Sequence, residues 1–131
     1  MTNKLVRLLT PPNYDKMIKK ILKFNRKLRY ISVLDKNGRR IAGGMRRGIK
    51  SLEPAEEELR LMSHVESESS TRETWDSYFG KTMYTIVKRE NVTMIIYPHD
   101  KKNILVSAEP VFNINEVPDI RELIIEYMEN Q

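Results

Sequence analysis

The sequence predicts an α+β fold, a five-stranded antiparallel sheet packed with helices, with elements in the order α-β-β-α-β-β-β-α. Three observations support this prediction. Two apolar runs flank an Asn-Gly turn near residue 37, which is the pattern of a β-hairpin. Helical periodicity appears before that hairpin, after it and at the end of the chain. Three further β-branched or apolar runs in the last third are joined by short polar links, which favours an antiparallel meander.

The segment Arg29–Gly48 is predicted to form the hairpin. An apolar strand Tyr30–Leu34 leads into the turn Asp35–Gly38, and a strand Arg39–Met45 returns. The turn ends in Asn-Gly, and these residues tolerate the positive φ angles of a tight hairpin. Side chains of the first strand alternate between the two faces of the sheet. One face should therefore carry Tyr30, Ser32 and Leu34, and the opposite face Ile31 and Val33.

The returning strand supplies the candidate ligand- or partner-binding residues. Glycines inside a strand are typical of a bulge or of a close approach to the backbone, so a ligand or a second subunit could come near at this point. A phosphate-binding loop is not predicted, because the lysine followed by Ser or Thr at P-loop spacing is missing. The six candidate residues are Arg39, Arg40, Gly43, Gly44, Arg46 and Arg47.

The first predicted helix has a basic outer face. Asn13 is suited to its N-cap, and Asp15 lies in the first turn, where the helix dipole favours an acid. Apolar residues recur at helical spacing as far as Leu28, while lysines and arginines take most of the other positions. Tyr and Met along the apolar stripe suit a core better than a membrane surface, which would favour Trp and Phe. We therefore expect this helix to cover the sheet.

A second helical region follows the hairpin. It opens at a proline at position 54, within an acidic stretch that suits a helix start. Ser70 and the glutamate three residues later resemble a capping box, so a further helical piece is predicted over Thr71–Phe79. Its inner face would carry Trp75 and Phe79, which are four residues apart. Whether residues 53–79 form one helix or two is left open.

The last third is predicted to be rich in strands. Pro98–Asn103 is interpreted as a loop between two of them. A final helix opens at Pro118, and its last residues, 128–131, are expected to fray. The three predicted strands are Thr82–Lys88, Val92–Tyr97 and Ile104–Ala108.

The chain is expected to form one domain over residues 1–131, with residues 1–12 as a flexible N-terminal segment. The absence of cysteine excludes disulfides and thiolate metal sites and is compatible with a reducing compartment. No apolar run approaches the roughly 18 residues that a spanning helix needs. The N-terminal apolar patch is too short for a signal peptide. We therefore expect a cytoplasmic protein without membrane insertion.

Charge is distributed unevenly along the chain, although the net charge is only +5. Residues 1–50 hold 15 Lys and Arg against two acids, whereas the remaining 81 residues hold 8 Lys and Arg against 16 acids. Such asymmetry is compatible with nucleic-acid or anionic-surface binding. We favour the simpler interpretation, in which a basic face and an acidic face attract one another within the fold or between subunits.

The sequence predicts no enzyme, no metal site and no cofactor. His64 and Glu68 are four residues apart, which favours a surface pair over a metal site because no second histidine lies nearby. His99 lies in a predicted loop and is interpreted in the same way. Serines are present but without a nucleophile elbow of the form G-x-S-x-G. Carboxylates that could act as an acid–base pair are grouped only at Glu56–Glu58, and these are expected to be solvated at a helix start.

The order of elements resembles the roadblock/dynein-light-chain superfamily and, more broadly, the profilin-like group that includes longin, PAS and Cache-type domains. The segment Ser32–Gly43 (SVLDKNGRRIAG) is similar to the strand–turn–strand of those domains. The chain also resembles small single-domain proteins of archaea. Roadblock-like proteins, as a family, are non-catalytic dimerising platforms for GTPases and motors, so the resemblance implies homodimerisation through a helix or a sheet edge. PAS or Cache kinship would instead imply a small-molecule pocket.

The leading functional prediction is a non-catalytic interaction or regulatory module whose partners are a second copy of itself and another protein. One alternative is a PAS/Cache-like sensor that binds a small anionic ligand near Gly43–Arg47. The other is a nucleic-acid-binding accessory protein that uses the basic first third. Nucleic acid is not favoured, because neither an aromatic strand motif of the RNA-recognition kind nor a helix-turn-helix is present.

Overall fold

A computed structural model describes residues 13–129 of the chain. The expectations for residues 1–12 and for the last two residues lie outside this range. Within it the helices are α1 (Tyr14–Phe24), α2 (Ala55–Glu73), α3 (Asp76–Phe79) and α4 (Val117–Glu129), the last preceded by a 3-10 turn at Ile114–Glu116. The strands are β1 (Leu28–Leu34), β2 (Arg40–Met45), β3 (Thr85–Lys88), β4 (Thr93–His99) and β5 (Lys102–Ala108).

The five strands form one antiparallel sheet with the spatial order β2-β1-β5-β4-β3. The predicted hairpin and the predicted meander of the last three strands are both confirmed. They are joined in the middle of the sheet, where β1 pairs with β5 and Ile31 lies opposite Val106. β2 and β3 are therefore the two edges of the sheet.

The sheet is covered on both faces, which makes a three-layer arrangement. Helices α1 and α4 pack on one face and bury Met17, Ile21, Ile120 and Ile124 against the strands. Helix α2 packs on the other face over a smaller cluster. The predicted alternation in β1 is confirmed, because its side chains divide between the two clusters. The smaller cluster contains Tyr30, Leu34, Met62, Val65, Ile96 and Leu105.

Helix α1 begins as predicted and ends earlier than predicted. The side chain of Asn13 accepts a hydrogen bond from the backbone N–H of Lys16 at 3.1 Å. The predicted continuation to Leu28 is wrong, because Asn25 is extended at φ −150° and its side chain accepts from the backbone N–H of Lys27 at 2.8 Å. The chain turns at this point, and Leu28 begins β1 opposite Ala108.

Residues 53–79 form one long helix and one short helix. The predicted cap at Ser70 is wrong, because this residue lies inside α2 and its hydroxyl donates to the Glu66 carboxylate at 2.8 Å. The break comes at residues 74 and 75, after which α3 has only four residues. Gly80 ends α3 at φ +80°, a conformation that glycine adopts without strain.

The strand boundaries differ from the predicted ones around two turns. β3 begins at Thr85 rather than Thr82. The predicted loop over residues 98–103 is mostly strand, because β4 continues through Pro98 and β5 already begins at Lys102. Only Asp100 and Lys101 connect them, both with positive φ (46° and 64°), which is the conformation of a two-residue hairpin turn.

The last helix begins one residue before the predicted Pro118. The buried Tyr97 hydroxyl donates to the carbonyl oxygen of Val117 at 2.9 Å, so the start of α4 is tied to the middle of β4. Burial raises the pKa of the Tyr97 hydroxyl, with a smaller contribution from Tyr84. Their rings lie 6.2 Å apart at 54°.

Candidate functional site

The two edge strands of the sheet differ in how well they are protected against pairing with a strand of another chain. β2 has an irregular register beside β1, and its backbone changes direction at two glycines. β3 pairs regularly with β4, and its other side has no strand partner within residues 13–129. Unpaired edges are the usual places where a second chain adds to a sheet, and bulges and charges are the usual protection against it. The difference makes β3 the candidate site.

The glycines of β2 have a structural explanation. Gly43 has φ +96°, and a Cβ atom there would collide with the carbonyl oxygen of Ile31 and lie 2.7 Å from the Cα of Ser32. Only glycine fits this close approach between β2 and β1. Gly43 and Gly44 also line a shallow depression of about 320 Å³ beside Asp15 and Lys19 of α1.

The structure places the four candidate arginines in different surroundings. Arg46 turns away from solvent and donates to the carbonyl oxygens of Leu22 (2.6 Å) and Asn25 (2.8 Å). Arg40 forms an ion pair with Glu58 of α2 at 3.0 Å. Arg39 and Arg47 are exposed. None of the four lines the depression beside the two glycines, and a ligand-binding role for the six residues stays a prediction.

An exposed apolar surface lies next to the open edge. We call it the aromatic flank; it comprises Trp75, Tyr78, Phe79 and Met83, whose exposed fractions are 49, 78, 85 and 53%. The Tyr78 and Phe79 rings are 6.5 Å apart. The flank leads directly into β3, and the adjoining residues Lys81 and Thr82 line a cavity with Pro98 of the neighbouring strand. Large exposed apolar side chains this close together in the chain are typical of interaction sites.

The prediction that Trp75 and Phe79 face inwards is wrong. A four-residue helix has too little length to bury an apolar stripe against the sheet. The sequence carried one signal for this outcome. Three of the ten aromatic residues of the chain fall within positions 75–79, directly before a glycine that ends the helix.

A groove of about 760 Å³ lies on the α2 face of the sheet, at the end of β3 away from the flank. Its charged lining is mixed, with Glu53 and Glu57 from the region of the α2 N-terminus, Lys88 from the end of β3 and Arg89 from the turn that follows. A groove lined by apolar side chains and by charges of both signs suits a peptide segment better than a small anion. The less polar lining includes Tyr30, Met45, Leu61, Met94 and Leu105.

Ion pairs hold one wall of this groove in place. Arg29 donates to Glu109 at 2.9 Å and to the carbonyl oxygen of Lys50 at 2.9 Å. Glu58 accepts from the Tyr30 hydroxyl at 3.3 Å and from Arg40 at 3.0 Å. Burial raises the pKa of the Tyr30 hydroxyl, which therefore stays a neutral donor at physiological pH.

The two histidines form pairs with carboxylates. The predicted surface pair of His64 with Glu68 is confirmed at 2.8 Å, and Arg72 joins it at 2.9 Å. The hydrogen bond from Arg72, followed by the charge of His64, lowers the pKa of the Glu68 carboxyl. The predicted loop position of His99 is wrong, since it is the last residue of β4 and its Nε2 lies 3.1 Å from Glu129.

Neither a metal centre nor a membrane span is found in the described part of the chain. No group of three His, Asp or Glu side chains lies close enough to hold an ion there. The helices among residues 13–129 include none with the length and apolar character to cross a bilayer.

Residues 9–130 match the model of a protein family. Its description is "Family of unknown function (DUF6659)". The chain belongs to the DUF6659 family. A search of curated proteins finds no similar sequence.

Solved structures similar to this DUF6659 chain share its fold. The gliding protein MglB of Thermus thermophilus has a TM-score of 0.69 and 10% identity, with 89% of each chain covered. MglB of Myxococcus xanthus has a TM-score of 0.64 and 9% identity over 91% of this chain and 99% of that one. A Roadblock/LC7 domain of Streptomyces avermitilis has a TM-score of 0.63 and 9% identity over 88% and 92%. The predicted roadblock-like fold is therefore confirmed, while the resemblance to archaeal proteins stays a prediction.

Proposed function

We propose that this chain is a non-catalytic roadblock-like module that pairs with a second copy of itself along β3 and docks a protein partner beside that edge. The observation that carries the proposal is the open edge of β3 next to the exposed aromatic flank. A strand edge offers backbone hydrogen bonds, and the flank offers apolar area. Both features are left without a partner in the described part of a single chain.

The opposite edge is the weaker candidate. β2 is distorted by the close approach of Gly43 to β1, and Arg40 lies along it. An incoming strand would meet a charged and irregular edge there. The β3 edge has the regular register that strand addition needs.

A twofold axis beside β3 would join the sheets of two copies and place the same surface of each copy against the other. The aromatic flank of each copy would then lose its contact with water, and apolar burial of this kind contributes about 25 cal/mol per Å². The fold resemblance supports the proposal, because roadblock-like proteins as a family dimerise. One solved MglB structure is described as having a tetrameric arrangement.

The groove beside β3 is the proposed docking place for the protein partner. It lies on the same face of the sheet as α2, whereas the proposed pairing uses the edge. Its apolar side chains and its charges of both signs favour an amphipathic segment of another protein over nucleic acid, which would require a predominantly basic lining.

Light scattering during size exclusion tests the self-association. We expect the wild-type chain to approach twice the monomer mass as its concentration rises. Tyr78→Ser with Phe79→Ser should keep the chain monomeric at the same concentrations, and both positions are exposed, so folding should be retained. The matched control is Val111→Ser with Ile114→Ser, which removes two exposed apolar side chains elsewhere. A wild-type chain that stays strictly monomeric at high concentration would overturn the proposed pairing.

A further inference from the structure

Helices α1 and α4 lie side by side on the face of the sheet opposite α2. The side-chain amide of Asn25, just after α1, donates to the carboxylate of Glu116, just before α4, at 2.6 Å. This bond joins the end of α1 to the start of α4, so the two helices run antiparallel. Their outer surfaces form one continuous face.

The outer stripe of α1 is basic. Four of its six exposed positions are lysines, and within residues 13–129 no ion pair involves any of them. These lysines are Lys16, Lys19, Lys20 and Lys23. Part of the excess positive charge of the first 50 residues therefore lies on this helix without a neutralising partner among residues 13–129.

The outer stripe of α4 is acidic. Every exposed position after Pro118 carries a carboxylate, and the spacing places these side chains along one side of the helix. The stripe comprises Asp119, Glu122, Glu126 and Glu129. Among the described residues only Glu129 has an ion-pair partner, His99.

Two parallel stripes of opposite charge restrict what can bind this face. A membrane surface or a nucleic-acid duplex carries negative charge throughout, so its attraction to α1 would be opposed by repulsion from α4. A second copy of the chain carries both stripes. A twofold axis that runs between the two helices and parallel to them would set α1 of each copy over α4 of the other.

We propose that the α1–α4 face is a second self-association surface, in which the basic stripe of one copy meets the acidic stripe of the other. This surface lies on a face of the sheet, whereas the pairing along β3 uses its edge. The two contacts do not compete, and together they would build an assembly larger than a dimer. The second contact does not depend on the first.

Ionic strength separates the two contacts. The Debye length is about 30 Å at 0.01 M salt and about 3 Å at 1 M, so charge-driven association should weaken steeply between these conditions. Apolar association along β3 should change little over the same range. The sedimentation behaviour of the full chain should show one step that is lost on adding salt and one that persists.

Charge reversal tests the proposed pairing of the stripes. Lys19→Glu with Lys23→Glu, and separately Glu122→Lys with Glu126→Lys, should each weaken the salt-sensitive step by at least about tenfold. Exchange of all the charges in one chain, with the four lysines of α1 changed to Glu and the four acids of α4 changed to Lys, should restore it to within about threefold of wild type, because every pair is then exchanged. Lys36→Glu with Lys50→Glu, exposed on the hairpin turn and after β2, is the control for net charge.

Several results would contradict the pairing of the two charged stripes. A wild-type chain with no salt-sensitive association would overturn the proposal, as would a control variant that weakens the step equally or a fully exchanged variant that fails to restore it. Stronger binding to anionic vesicles or duplex DNA than to itself at low salt would assign the basic stripe to a polyanion instead. Tyr78→Ser with Phe79→Ser should leave the salt-sensitive step intact, so failure of the β3 pairing would be recognised separately.

Discussion

The guanidinium group of Arg46 lies 2.6 Å from the carbonyl oxygen of Leu22, so the end of β2 holds the last turn of α1. The same group also bonds to the carbonyl oxygens of Asn25 and Leu28. Carbonyls at the end of a helix lack intrahelical partners, and a cation placed there also interacts favourably with the helix dipole. One arginine thus joins the helix, the start of β1 and the edge strand.

Replacing Arg46 should destabilise the fold. Arg46→Met keeps much of the aliphatic stem but removes one hydrogen bond from each of three carbonyl oxygens, and we expect a loss of about 3 kcal/mol in the free energy of unfolding. Urea denaturation monitored by circular dichroism measures the loss. Arg47→Met is the matched control, because the neighbouring side chain is exposed, and it should change the stability by less than about 0.5 kcal/mol. Equal effects of the two substitutions would contradict this role.

The second prediction separates steric collision from backbone strain at glycine. Gly43→Ala should cost more than about 3 kcal/mol, because the new Cβ would collide with the backbone of Ile31 as well as adopt a positive φ. Gly48→Ala shares the positive φ (+84°) but meets no atom within 4 Å, and should cost about 1 kcal/mol. Urea denaturation of both variants gives the difference. If Gly48→Ala cost as much as Gly43→Ala, the collision would not be the cause.

The third prediction uses the one tryptophan of the chain as a reporter. Trp75 is 49% exposed in the single chain, so pairing along β3 should remove it from water. We expect its emission to shift to shorter wavelength, and its quenching by acrylamide to fall, as protein concentration rises. Phe79→Ser should abolish both changes. Emission that stays constant across a range where the mass doubles would place the contact elsewhere.

The fourth prediction concerns alkaline pH. Burial holds the pKa of Tyr97 above its ordinary value of 10.0, so the unfolded chain loses this proton first as pH rises. Stability should therefore be complete below pH 10 and fall above it, by about 1.4 kcal/mol per pH unit for this one group. Tyr97→Phe should remove that slope.

The same substitution has a separate cost at neutral pH. Without the hydroxyl, the carbonyl oxygen of Val117 loses one of its hydrogen bonds, which should lower the free energy of unfolding by about 1 kcal/mol. Tyr78→Phe, which removes an exposed hydroxyl, is the control and should leave both the neutral stability and the alkaline slope unchanged. An unchanged slope in Tyr97→Phe would show that other groups govern the alkaline loss.

Most of the fold could be predicted because its signals are local. Periodicity and turn residues located the hairpin, both outer helices and three of the strands. The alternation of Tyr30 and Ile31 in β1 is predictable because a strand places successive side chains on opposite faces. The ends of the helices are harder to predict from sequence. Helix α1 ends just before Asn25, whose side chain accepts a hydrogen bond from the backbone N–H of Lys27, and periodicity does not reveal such a bond.

The candidate site could not be predicted, because it depends on which elements become neighbours. The order of strands in a sheet is set by long-range pairing, so nothing local shows that β3 ends up at an edge. Trp75 and Phe79 were placed in the core because aromatic residues at helical spacing are usually buried. Their exposure follows from the shortness of α3. For Arg46, a ligand- or partner-binding role stays a prediction, and its bonds to carbonyl oxygens distant in sequence depend on the same long-range packing.

The length of β3 has a consequence for protein quality control. With only four residues, the last of them Lys88 and the next one Arg89, the edge offers few backbone bonds to an intruding chain. Long, uncharged edges template runaway fibre growth, and this one lacks the length to do so. A second strand can pair stably with so short an edge only if its side chains also fit the surface around that edge. The short edge can therefore stay unpaired in a single chain without the aggregation that protein quality control has to counter.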